Sequence, residues 1–203
     1  MVSIVNKHLQ KYLQLLVKAQ GTLTECEARS AAAVNSLKNL IDQYQCCRQV
    51  NPTQLPPGHR DWDDVKTRLL FKLTDMINQE LETLRTSVES LGVLSSCLSQ
   101  QYGVCMYQYS QCHDQVTDVT RATATLPSLA DLLGMCEASE RLVRERFLCK
   151  QHLITSLDPA QPDSADYFSR HWASRDAQLL DTLRGRTGAG TLDISYELHS
   201  GHP

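Results

Sequence analysis

Aromatic residues make up only 6% of this 203-residue sequence, too few to fill the pleated faces of a β-sandwich or barrel, which Tyr, Phe and Trp usually occupy. Charge of one sign is also lacking. The formal net charge is −3, which sets up no long-range field for a phosphate backbone, so no direct, sequence-specific contact with nucleic acid is expected. No apolar run approaches the roughly 20 residues that cross a bilayer, and no membrane partner is expected. The opening residues, from Met1 to His8, lack the order of charge, apolar stretch and small residues that marks a signal peptide. The expected location is therefore the cytoplasm and nucleus.

Chemical motifs are missing too. There is no Gly-x-x-x-x-Gly-Lys-Ser phosphate loop, no Gly-x-Gly-x-x-Gly after a strand and no Gly-x-Ser-x-Gly elbow. Eight cysteines and seven histidines bring a metal to mind, but structural zinc takes ligands paired about two to four residues apart. Cys105 and Cys112 are seven apart inside an apolar repeat, and Cys46-Cys47 is a bare adjacent pair. Cysteine in such positions behaves as a small buried hydrophobe, and His113, off the stripe, reads as a solvated side chain. A Cys/His nucleophile needs a lowered thiol pKa and an orienting third group, and no pattern supplies either. The expectation is a non-enzyme with no catalytic, cofactor-binding or metal residues, its cysteines kept as thiols in a reducing compartment.

What the sequence has is helical periodicity. Residues 4–49 contain no proline and place Leu9, Leu13, Leu16, Leu23, Cys26, Val34, Leu37, Leu40, Ile41 and Tyr44 on three- and four-residue spacings. Gly21 sits inside this stretch and admits a kink or break. Three prolines and a glycine between Asn51 and His59 form a connector. A second helix is expected over 62–119, with Leu81, Leu84, Val88, Leu91, Leu98, Tyr102, Cys105, Tyr109, Cys112, Val116 and Val119 in an alternating three-four repeat interrupted at Ser95. Such a rod, roughly 85 Å long at about 1.5 Å per residue, must pack along its length against something.

After a polar stretch from Arg121 to Thr125, Ser128 and Asp131 have the spacing of a capping box. They open a third helix over about 128–157, and a shorter one over 163–184 follows the Asp158-Pro159-Ala160-Gln161-Pro162 connector. The fold class is all-α: a long antiparallel hairpin or bundle in one domain, 1–184, with shorter C-terminal helices packed on it. A glycine-containing flexible tail is expected over 185–203.

The charged run from Glu140 to Arg146 is the best candidate for a contact surface. Its mixed signs suit a protein partner, set against the plainer reading of a solvated face with internal ion pairs. Arg141, Arg144 and Lys150 are expected to point outward from the third helix while Leu133, Phe147 and Leu153 hold the fold. Trp172, one of two tryptophans, completes the candidate partner-binding set, with burial in the bundle as its other reading.

The third helix also resembles a known family. Pro127-Ser128-Leu129-Ala130-Asp131-Leu132-Leu133, then Glu140-Arg141, Arg144, Phe147-Leu148, Lys150 and Leu153 through Ser156, are similar to the AIRIM family of ribosome maturation factors that associate with AAA-type ATPases. Asp64 through Leu69, the stretch around Tyr107 to Val116, and Ser36 through Leu40 fit the same pattern, so the likeness covers roughly residues 10–157. The glycine-containing end departs from it.

The resemblance implies a non-catalytic adaptor subunit of an AAA ATPase complex, paired with a second helical subunit resembling the cyclin-dependent-kinase-interacting protein CINP. It further implies action on pre-60S ribosomal particles in the cytoplasm, where shuttling factors are released and recycled, and a chromatin role in replisome protein turnover. The competing expectation is a cytoskeletal or centrosomal scaffold that self-associates as a coiled coil through the repeat from Leu81 to Val119.

Overall fold

A computed structural model describes residues 2–51, 62–111 and 127–187. Among them there is no strand, and the chain is an all-α helical bundle. Helix α1 spans Val2–Gln49 and α2 spans Trp62–Ser110; these two long helices pack together. Helix α3 spans Leu129–Ser156, α4 spans Ser164–Trp172, and α5 covers 176–187. Positions 112–126, which include Cys112, His113, Val116, Val119 and the polar Arg121 to Thr125 stretch, lie outside the described residues, as do most of the proline-rich connector and residues 188–203. No helix among the described residues is long and apolar enough to cross a membrane.

The described chain divides into two compact units, and each long helix contributes to both. The first unit takes residues up to Glu25, Ser90–Leu148 and the residues from Arg175 onward. Its core joins Leu9, Tyr12 and Leu16 of α1, Leu91 and Leu98 of α2, Leu133 and Val143 of α3, and Leu183 of α5. These positions recur every three or four residues, so each helix turns one apolar stripe inward, at a gain of about 1.5–3 kcal/mol per fully buried large side chain. The Gln101 amide of α2 donates to the His8 carbonyl of α1 at 3.0 Å and ties the two helices together in this unit.

The second unit takes Cys26–Glu89 and Cys149–Ser174, with Leu37, Ile41, Ile77, Leu84, Phe168 and Trp172 buried. Ser36 Oγ donates to Glu80 at 2.7 Å. Lys66 Nζ reaches the Arg48 and Val50 carbonyls at 3.0 and 2.8 Å, so a cation closes the C-terminal end of α1, where unpaired carbonyls carry the negative end of the helix dipole.

The apolar stripes of α1 and α2 are buried at the positions their spacing predicts, from Leu9 through Ile41 and from Leu81 through Cys105. The capping box is formed: Asp131 N–H donates to Ser128 Oγ at 3.1 Å, and Ser128 N–H donates back to Asp131 Oδ2 at 3.2 Å. The sequence left a kink or break open at Gly21, which does not occur, and two further features differ from expectation. Helix α1 runs unbroken through Gly21, because the stripe on either side of that glycine stays buried and outweighs its roughly 1 kcal/mol helical cost. The helix expected over 163–184 is two helices, α4 and α5, separated at 173–175, where Arg175 has φ 70°. Helix α5 then continues past Gly185 to 187, where Thr187 Oγ1 is held by the Leu183 carbonyl at 3.2 Å and the Gln20 amide at 2.9 Å.

Candidate partner-binding surface

Arg141 and Arg144 are presented together on α3, with side chains 67% and 55% exposed. Each leans on an acid one turn away: Arg141 Nε lies 3.6 Å from Glu145, and Arg144 lies 3.6 Å from Glu140. Glu140 is itself buried and accepts a hydrogen bond from Ser99 on α2, which fixes one end of the pair to the bundle. The Arg141–Glu145 pair, exposed on both sides, contributes under about 1 kcal/mol. An incoming carboxylate could therefore displace the internal acid at little cost and take a guanidinium in bidentate geometry.

Lys150 does not join them. At about 100° per residue, the nine positions from Arg141 amount to a half turn around the helix, which puts Lys150 on the apolar side, seven residues on from the buried Val143. The side chain is 0% exposed. Its Nζ donates to the Trp172 carbonyl at 3.0 Å and sits 4.4 Å from the centroid of the Trp172 ring. The outward placement expected of Lys150 is therefore corrected: a buried ammonium needs a dipole and a polarisable face, and the last residue of α4 supplies both.

Trp172 is 3% exposed. It donates Nε1–H to Ser30 Oγ at 2.9 Å and stacks on Phe168 with centroids 5.2 Å apart. Its place in the partner-binding set is corrected as well, in favour of burial. The structure thus brings Arg141 and Arg144 together on the surface, and Lys150 and Trp172 together in the core of the second unit.

Other polar groups escaped the sequence reading. Arg146 forms an ion pair with Asp176 in which both side chains are almost wholly buried. Arg146 follows Val143 and precedes Lys150 on the three-four spacing of the buried stripe, which is the signal that could have shown it. Arg186 of α5 donates to Ser139 Oγ at 2.9 Å. Tyr12 donates to the Cys136 carbonyl at 2.7 Å, and burial pushes its phenol far above the usual range. Burial also pushes the Cys136 thiol up to about 12 and raises Cys105. Both are held protonated, the opposite of what a nucleophilic thiol requires. No cluster of three His, Cys, Asp or Glu residues able to hold a metal occurs among the described residues.

Comparison with known proteins places these features in a family. The model of the CA109-like family, described as ribosome biogenesis protein C1orf109-like, matches residues 3–183. A Danio rerio protein named AFG2-interacting ribosome maturation factor is 22% identical over 186 residues, covering 88% of this chain and 91% of that protein. The Homo sapiens protein of the same name is 26% identical over 159 residues, covering 75% and 76%. The Xenopus tropicalis protein of that name is 26% identical over 136 residues; this match covers 66% of the chain and spans 64% of that protein's length.

Proposed function

We propose that this chain, which belongs to the family of C1orf109-like ribosome biogenesis proteins, is a non-catalytic adaptor subunit of an AFG2-type AAA ATPase in ribosome maturation. The observation that carries the reading is the family match over residues 3–183, joined by relatives whose names state both the ATPase and the process. The ATPase supplies the energy and this subunit supplies recognition. Its substrates are pre-60S particles, from which shuttling factors are released and recycled in the cytoplasm, with a further role in replisome protein turnover in the nucleus. A second helical subunit resembling CINP shares the assembly.

Arg141 and Arg144 are the residues assigned to partner contact, Arg141 through an acidic side chain that exchanges with the exposed Glu145. The protonated, buried thiols of Cys105 and Cys136 support the non-catalytic part of the reading. The scaffold alternative is disfavoured by the burial of Leu81, Leu84, Val88, Leu91, Leu98 and Cys105 within the chain, since that stripe is already occupied. Co-purification of the tagged chain from its own cells at mild salt tests the proposal. Recovery of an AFG2-type ATPase together with pre-60S proteins is expected, and a chain recovered with neither refutes it.

A further inference from the structure

The first half of α1 differs in charge from the second. From Val2 to Thr24 there is no aspartate or glutamate, while Lys7, Lys11 and Lys18 are all exposed. From Glu25 to Gln49 the same helix mixes the signs, with Glu25, Glu27 and Asp42 against Arg29, Lys38 and Arg48. Lys7, Lys11, Gln14, Lys18 and Gly21 follow one another at steps of four and three residues, and all five are exposed. At about 100° per residue they fall within roughly 80° of one another and form a straight row roughly 21 Å long. The row lies on the side of α1 opposite Leu9, Tyr12, Leu16 and Leu23, which are buried in the first unit.

Among the described residues no acid pairs with the three lysines, so their charge is not spent within the chain. Gly21, at the end of the row, is an unfavourable residue in a helix interior. A Cβ there would meet nothing, so packing inside the chain gives no reason for it, and a bulky backbone can approach the helix closely at that point.

Three kinds of partner suit a basic helical face: a membrane, an acidic protein and a nucleic acid. A helix that lies on a membrane inserts its apolar face, and the apolar face of α1 is already used in the core. Protein interfaces are depleted of lysine and enriched in aromatics, the reverse of this row. Single-stranded nucleic acid is held by bases stacked on aromatic rings, and Tyr12, the one aromatic between Val2 and Thr24, is fully buried. Double-helical nucleic acid needs neither, because its phosphates line the outside and pair with lysines directly. Gln14 stands between Lys11 and Lys18, and its amide can both donate to and accept from a ribose 2′-hydroxyl, a group that DNA lacks.

We propose that the Lys7, Lys11 and Lys18 row of α1 is a docking surface for double-helical RNA, held through its backbone phosphates without reading its bases. The choice of RNA rests on the ribosome-maturation reading, while the surface rests on the lysine row. A chain of net charge −3 attracts RNA through such a strip only at close range, within a Debye length of about 10 Å at 0.1 M salt. Three neutralised phosphates give a slope of log affinity against log salt of roughly −2.7, taking about −0.9 for each as in duplex DNA. Affinity should therefore fall about 40-fold between about 50 and 200 mM salt.

Fluorescence anisotropy of a labelled duplex RNA titrated with the full chain, at several salt concentrations, tests the proposal. Lys7→Gln, Lys11→Gln and Lys18→Gln should each flatten the slope by about 0.9, and the triple variant should bind no RNA, with circular dichroism unchanged. The three lysines replaced by arginine should keep the slope, and Lys72→Gln, exposed in the second unit, should leave it unaltered. RNA binding retained by the triple glutamine variant overturns the proposal, as does duplex DNA of the same sequence bound as tightly as RNA. Labelled poly-glutamate bound through the same lysines as tightly as RNA would also overturn it, by giving the face to an acidic protein. The titration contains no ATPase, so RNA binding by a chain that recovers no ATPase would leave this surface standing while the adaptor reading falls. An ATPase recovered by a chain that binds no RNA would do the reverse.

Discussion

Replacing Lys150 by Met separates the two roles this lysine could have. The side chain is fully buried, its Nζ 3.0 Å from the Trp172 carbonyl oxygen and 4.4 Å from the Trp172 ring centroid. A hydrogen bond from a charged donor contributes about 1.5–3 kcal/mol and a desolvated cation–π contact about 2 kcal/mol. The two act through one ammonium and do not add in full, and a methionine sulfur against the ring restores about 0.3–1.5 kcal/mol. Lys150→Met should therefore cost about 2 kcal/mol net, and Lys150→Ala more, because truncation also leaves a cavity. With a urea m-value of about 2 kcal/mol/M, the Lys150→Met midpoint falls by about 1 M. Tryptophan fluorescence in a Trp62→Phe background follows the unfolding through Trp172 alone. A midpoint unchanged by Lys150→Met, combined with lost ATPase binding, would refute the buried-post account and restore an outward role.

Removing the α3 cap by Ser128→Ala should cost about 1 kcal/mol, since it unmakes the Asp131 N–H bond to Ser128 Oγ while leaving the return bond from Ser128 N–H to Asp131 Oδ2, and chemical denaturation reads it directly. Gly92→Ala sets a Cβ about 2.7 Å from the Phe147 ring and should destabilise by about 1–3 kcal/mol, with partial recovery when Phe147→Leu withdraws the ring edge. At pH 8 the exposed Cys46 and Cys149 should alkylate quickly, while Cys105 and the Cys136 thiol, pushed up to about 12, resist until the chain unfolds. Raising the pH through the neutral range should leave that protection intact, because both groups remain protonated well above it; labelling of Cys136 at the rate of Cys46 would show its surroundings to be open.

The helical fold was legible because burial follows spacing: Leu9 to Ile41 and Leu81 to Cys105 face inward wherever a three-four count places them. The capping box was legible for the same local reason. What was hidden depends on contacts between distant segments. The break at 173–175 has no glycine or proline to announce it, and Arg175 adopts φ 70° in a stretch whose neighbours are tied down by packing. Lys150 reads as a surface charge by residue type alone; only its half-turn offset from Arg141 and its spacing from Val143 mark it as inward, and only the fold supplies the Trp172 carbonyl. The buried Arg146–Asp176 pair joins residues 30 apart in sequence, beyond the reach of any periodicity. Of the candidate contact residues, Arg141 and Arg144 kept their exposed positions because the acids they pair with lie on the same helix and leave the guanidinium ends in solvent.

Binding between purified components tests the adaptor function and its assignment to Arg141 and Arg144 together. The full chain, mixed with a recombinant AFG2-type ATPase and passed over a sizing column with light scattering, should co-elute with it. The Arg141→Glu/Arg144→Glu double variant, with unchanged circular dichroism and urea midpoint, should elute alone. Failure of the wild-type chain to associate would contradict the adaptor function, and association undiminished by the double charge reversal would contradict the assignment of that function to Arg141 and Arg144.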